Sequence, residues 1–128
     1  MPKITLLFAS LHVLLMLLLL VRISVHRHGK KIGLGDGGDP VLSRKVRVHG
    51  NFIEHAPLAL LMLGLLELCG VPAGWLWGLG AVLLLGRAMH AAGLSRTAGY
   101  SVGRFGGTAM TWLAMLLMAL AGTWLALA

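Results

Sequence analysis

Arg47-Val48-His49-Gly50-Asn51-Phe52-Ile53-Glu54-His55-Ala56-Pro57 runs directly into Leu58-Ala59-Leu60-Leu61-Met62-Leu63-Gly64-Leu65-Leu66, and the reading of this stretch decides the fold. The second part is comfortable only in hydrocarbon or in a deep core. The first carries charge into the same helix. Arg47, Asn51 and Glu54 stand at i, i+4 and i+7, so on a helix they stack along one face, with His55 at the edge of the stripe. Ionisable side chains on a membrane helix are costly unless they face a partner, a wet cavity or a ligand. The stripe is therefore the first candidate for function.

Composition agrees with a membrane setting. Of 128 residues, 58% are hydrophobic and 12% charged, and the mean hydropathy is +0.87; a soluble domain carries about twice that charge. The length allows one domain, residues 1–128. The single Cys69 excludes an internal disulfide and any multi-cysteine metal site, and no metal site is expected. The net charge of +7 is concentrated. Arg22, Arg27, Lys30, Lys31, Arg44, Lys45 and Arg47 fall between the first and second apolar segments, and Arg96 and Arg104 between the third and fourth. That is the pattern of cytoplasmic loops. Nucleic-acid binding would interleave basic and aromatic residues on a folded surface, whereas these connections are glycine-rich and nearly free of aromatics.

Four spans are predicted, over about residues 4–25, 42–69, 74–92 and 104–127, giving an all-α integral membrane four-helix bundle. The first apolar run is long enough to cross about 30 Å of hydrocarbon. It exceeds a signal-peptide core and ends in Arg22-Ile23-Ser24-Val25-His26-Arg27 rather than in small residues, so a retained helix is expected. Residues 29–40 hold five glycines, Gly29, Gly33, Gly35, Gly37 and Gly38, and read as a solvated linker. Pro57 interrupts the second helix and is expected to kink it just after Glu54. Residues 70–74 form a turn, followed by Trp75 and Trp77 as interfacial anchors. Residues 93–103 are expected to be loop, with Arg96 in it. Both basic connections then lie in the cytoplasm and both termini outside, with the polar stripe at the inner membrane edge.

Arg47, Asn51, Glu54, Arg87, His90 and Arg104 form the candidate constellation. Arginine stays charged and offers a planar fork for carboxylates or phosphates; Asn51 can donate and accept; Arg87 and His90, at i and i+3, share a face. Such a pocket suits a small zwitterion with excess negative charge. Equally, Glu54 can pair with Arg87 or Arg47 as a buried ion pair that fixes helix packing. Glu67, near the outer end of the second helix, is expected to snorkel to water, and His12 to serve packing or a hydrogen bond between helices. Haem ligation by His12, His49, His55 or His90 needs paired histidines at matching depth, and these depths differ.

Arg47-x-x-x-Asn51-x-x-Glu54-x-x-Pro57 on helix two and Gly86-Arg87-x-x-His90 on helix three resemble the MAPEG family, the membrane-associated proteins of eicosanoid and glutathione metabolism. The likeness covers nearly the whole chain, and its compact length points to a bacterial branch and a bacterial inner membrane. It implies a homotrimer that binds glutathione as cosubstrate between subunits near the cytoplasmic side. Arg47, Asn51 and Glu54 would hold the peptide's polar groups, Arg87 and His90 would line the adjacent wall, and Arg104 would stabilise the thiolate. The implied activity is that of a glutathione-dependent transferase or peroxidase acting on a lipophilic small molecule from the bilayer. The other class of function is a non-catalytic membrane scaffold that binds lipid or glutathione. A proton-coupled transporter usually needs an acid mid-membrane, and Glu54 lies nearer the edge. One departure bears on catalysis: several members carry tyrosine one turn after the position of His90, where this chain has Leu94.

Overall fold

The computed structural model describes all 128 residues. It contains four helices and no strand: α1 (Lys3–Lys30), α2 (Pro40–Leu68), α3 (Ala73–Arg96) and α4 (Val102–Leu127). All four are long and apolar enough to cross a membrane, which bears out the all-α membrane bundle. The helices α2 and α3 are central, each packing on all the others, whereas α1 and α4 do not touch.

The ends of the helices follow from specific side chains. Asp39 caps α2, its Oδ1 accepting from the backbone N–H groups of Val41 and Leu42 at 2.8 and 3.0 Å, with Pro40 at the first helical position. At the far end Gly70 takes φ +81°. There Val71 N–H reaches Leu66 O and Gly70 N–H reaches Glu67 O, both at 3.1 Å, closing α2 with a Schellman turn. The same closure ends α1, but with Lys31 at φ +56° in place of glycine.

The start of α1 is capped across the bundle. Glu67, on the last turn of α2, accepts from Ile4 N–H at 2.9 Å and Thr5 N–H at 2.7 Å. Its carboxylate therefore satisfies two of the N–H groups a helix start leaves unpaired, and its charge suits the positive end of the dipole. The expected snorkelling of Glu67 to water is thus overturned.

Two further expectations shift. The first helix continues to Lys30, beyond residue 25, because basic residues in a last turn complement the helix dipole and water solvates them. The third continues to Arg96, so Gly93 is helical and Arg96 ends the helix instead of lying in a loop. Packing overrides the glycine there: a Cβ on Gly93 would lie 2.4 Å from Arg104 N, so the last turn of α3 rests on the first turn of α4. The same closeness recurs along this pair. A Cβ on Gly107 would meet Gly86 O and His90 N, each at 2.5 Å. Pro57 lies inside α2, which runs through it without a break.

The apolar core is in two parts. One, built around Phe8, Leu63, Leu76, Leu83 and Met118, fills the end near the Gly70 turn. The other, Leu19, Val48, Phe52, Ala56, Ala91 and Leu94, fills the end near the glycine-rich loop. Along α1, α2 and α3 the gap between them falls at the level of His12, between Ala56 and Ala59, and at Arg87. His12, Arg87, His90 and Thr111 are the buried polar residues of the bundle.

Candidate functional site

Depth places the site. Counting about 20 residues back from Leu68 puts the hydrocarbon edge near His49, so Glu54 lies ~8 Å inside it at 1.5 Å per residue. The same count forward from Ala73 puts Arg87 at about that depth on α3. The stripe on α2 and the pair on α3 are therefore level.

Arg87 is the centre. It is 2% exposed, and three oxygens hold it. Nε donates to Thr111 Oγ1 at 2.9 Å, and Nη1 donates to Asn51 Oδ1 at 2.8 Å and to Asn51 O at 3.3 Å. Thr111 is oriented in turn by donating to Gly107 O at 2.8 Å. Every partner is neutral. A buried guanidinium needs more than neutral acceptors to offset its lost hydration, and no carboxylate touches it.

Glu54 is committed elsewhere. Arg47 Nη1 and Nη2 donate to Glu54 Oε1 and Oε2 at 2.8 and 3.1 Å, a forked pair on the outer face of α2. The two side chains are 59% and 48% exposed. Of the two pairings the sequence left open for Glu54, the one with Arg47 forms and the one with Arg87 does not, and the pair lies at the surface rather than buried.

His90 is buried one turn beyond Arg87 and makes no side-chain hydrogen bond within the protomer. Arg87 stands one turn before it on α3, with Arg47 and Arg104 on the neighbouring helices α2 and α4. The chain has four acidic residues, and of these only Glu54 belongs to this region; Asp36 and Asp39 are in the loop and Glu67 is at the opposite end. The cluster thus carries three guanidinium groups against one carboxylate.

Arg104 stands on the first turn of α4, where Ser101 Oγ accepts from its N–H at 3.2 Å. Its guanidinium turns back to the α3–α4 connection, donating to Ala98 O at 2.9 Å and Gly99 O at 3.4 Å. It is exposed beside Tyr100, whose ring lies 6.2 Å from that of Phe105. Leu94 is buried in the apolar core at this end of the bundle.

The structure thus joins Asn51 to Arg87 and Arg47 to Glu54, buries His90 one turn beyond Arg87, and leaves Arg104 exposed. Thr111 was missed from the sequence. Its signal was a hydroxyl four residues after Gly107 within the apolar run of α4. His12 packs its ring 5.9 Å from Phe52 and bonds to Phe8 O at 2.7 Å on its own helix, with Nε2 unpartnered.

A family model, that of the MAPEG family, matches residues 5–124. The inner membrane protein YecN of Escherichia coli (strain K12) is 34% identical over 120 residues, covering 91% of this chain and 90% of its own. The YecN of strain CFT073 matches to the same extent. With the four spans, these relatives support a bacterial inner membrane location.

Proposed function

This chain belongs to the MAPEG family, and from that premise we propose that it is a membrane-embedded glutathione-dependent transferase or peroxidase acting on lipophilic electrophiles. One observation carries the reading: a buried guanidinium, Arg87, is held ready by Asn51 and Thr111 with no carboxylate of its own. An anionic group of the peptide supplies the missing countercharge, and the unbonded His90 lies beside it. The exposed Arg47–Glu54 pair offers both signs to a zwitterion. We place this site between subunits of a trimer, on the cytoplasmic side, with both termini outside.

In this reading the chemistry belongs to the cosubstrate's thiol. A free thiol titrates near 8.5, so about a few per cent is nucleophilic thiolate at neutral pH. A fixed arginine within a few ångströms favours the charged form and lowers such a pKa by about 1–3. Arg104 is the candidate, because the α4 N-terminus adds its dipole to the guanidinium. Ultraviolet absorbance reads the thiolate directly. Arg104→Leu is expected to abolish it and most conjugation while glutathione still binds, whereas Arg96→Leu leaves both intact. The reverse pattern would move the thiolate role to Arg96.

The second reading is a non-catalytic scaffold that binds lipid or glutathione. The engagement of Arg104 with Ala98 O and Gly99 O favours it, since a guanidinium so held does not face Arg87. Binding without any thiolate signal in the wild-type protein selects this reading. Calorimetry with Asn51→Ala and Glu54→Ala tests both readings together: if folded variants bind glutathione as the wild type does, the stripe is structural.

A further inference from the structure

We propose that the end of α1 carries a binding site for the headgroup of an anionic phospholipid, separate from the Arg87 cluster. Arg27, His28, Lys31, Ile32 and Gly33 line an open recess of about 500 Å³. Arg27 is tied to the loop by one bond, Nη1 donating to Gly33 O at 3.3 Å, and its Nε is buried without a partner. The side chains of His28, Lys30 and Lys31 make no hydrogen bond, and neither ion pair of the molecule involves them.

No acid of the loop pairs with a cation of this recess. Asp36 Oδ1 accepts from Gly38 N–H at 3.0 Å. Asp39 is held by Val41, Leu42 and His26. Lys31 also occupies the left-handed position that ordinarily goes to glycine, so its side chain is kept where the backbone disfavours it.

Depth and the adjoining surface point to a lipid as the source of the anion. Counting about 20 residues from Lys3 sets the hydrocarbon edge near Ile23, so Arg27 stands ~6 Å beyond it, at headgroup level. Leu14, Leu18, Val21 and Val25 are 63%, 57%, 56% and 67% exposed. Their spacing of three and four continues to His28 near the end of α1, so one aliphatic stripe on the helix leads to the edge of the recess. An acyl chain lies along that stripe while the phosphate meets Arg27 and Lys31.

Native mass spectrometry of the full-length protein in mild detergent tests this, with phosphatidylglycerol, phosphatidylcholine and inorganic phosphate as probes. Each cation near an anionic headgroup contributes about fivefold. The wild type should retain phosphatidylglycerol over phosphatidylcholine, and Arg27→Gln with Lys31→Gln should lower that preference about 25-fold. Lys31→Gln alone, which removes no protein hydrogen bond, should lower it about fivefold, and Arg96→Gln should leave it unchanged. Equal retention of the two lipids, or a folded double variant that keeps its preference, overturns the proposal. Displacement of the lipid by millimolar phosphate makes this a free-anion site and overturns the lipid assignment. High-yield crosslinking between copies through Val25→Cys shows a protein-covered face and overturns it too.

Discussion

Thr111→Val preserves the outline of a side chain and removes the oxygen that holds Arg87 Nε at 2.9 Å. Stranding a buried donor costs about 1–3 kcal/mol, with charged groups at the upper end. Thermal unfolding in detergent should register that loss. A double-mutant cycle with Arg87→Met should return a coupling of about the same size, since Thr111 has nothing to hold once Arg87 is gone. Asp39 gives a pH-dependent counterpart outside the membrane. The hydrogen bond from His26, and then those from the α2 backbone, hold its carboxyl down at about 2 from an ordinary 3.8. Because the folded value is the lower one, the stabilisation is fully present above pH ~4 and is lost as pH falls toward 2. The protection factors of the Val41 and Leu42 amides, referred to the intrinsic exchange rate at each pH, should therefore fall over that window in the wild type, and far less in Asp39→Asn. Both examples mark what a sequence discloses at this scale. Arg47, Asn51, Glu54, Arg87 and His90 were legible because charge within apolar helices is conspicuous. Thr111 and Glu67 were not, because their partners are 24 and more than 60 residues away.

Glycine decides how closely α3 and α4 approach. A methyl group on Gly107 would be 2.5 Å from backbone atoms of α3 that cannot step aside. Gly107→Ala should cost about 3 kcal/mol, the upper end of overpacking penalties, and should displace Thr111 from Arg87, since both sit on that contact. Gly106→Ala is the comparison, because its Cβ would meet only Met89 Cε at an ordinary 3.5 Å. It should be neutral or stabilise by about 0.5–1 kcal/mol through helix propensity. Unfolding midpoints for the two variants test the crossing directly; similar destabilisation by both would argue against it. At the other end, Glu67→Ala removes the carboxylate that caps α1 and should cost about 1–2 kcal/mol, as loss of a helix cap does. The spans were readable from runs of leucine, but their ends were not. Lys30 and Arg96 remain helical because water and the helix dipole favour a basic last turn, and Gly93 because α4 lies against it.

A forked Arg47–Glu54 pair, 59% and 48% exposed, ties Glu54, ~8 Å within the hydrocarbon on the helix-rise count, to Arg47 at its edge. In water such a pair contributes little; against lipid tails its charges are costly. The pair therefore calls for a wet or protein surface, and the proposed trimer would provide one by closing over this face of α2. Native mass spectrometry in a detergent that retains lipid should find trimers, and monomers alone would remove the basis for a shared site. A finer test compares Glu54→Leu with Arg47→Leu/Glu54→Leu. The single change leaves Arg47 charged and unpaired, which is strongly destabilising where the face is closed, whereas an apolar replacement of both partners is often neutral. If the pair lies between subunits, the single variant dissociates at lower detergent concentration than the double. If the pair faces open water, the two behave alike, because a lone arginine there remains solvated. Glutathione binding should fail in both variants whatever their assembly, since each lacks the Glu54 carboxylate, and that separates loss of the site from loss of the trimer.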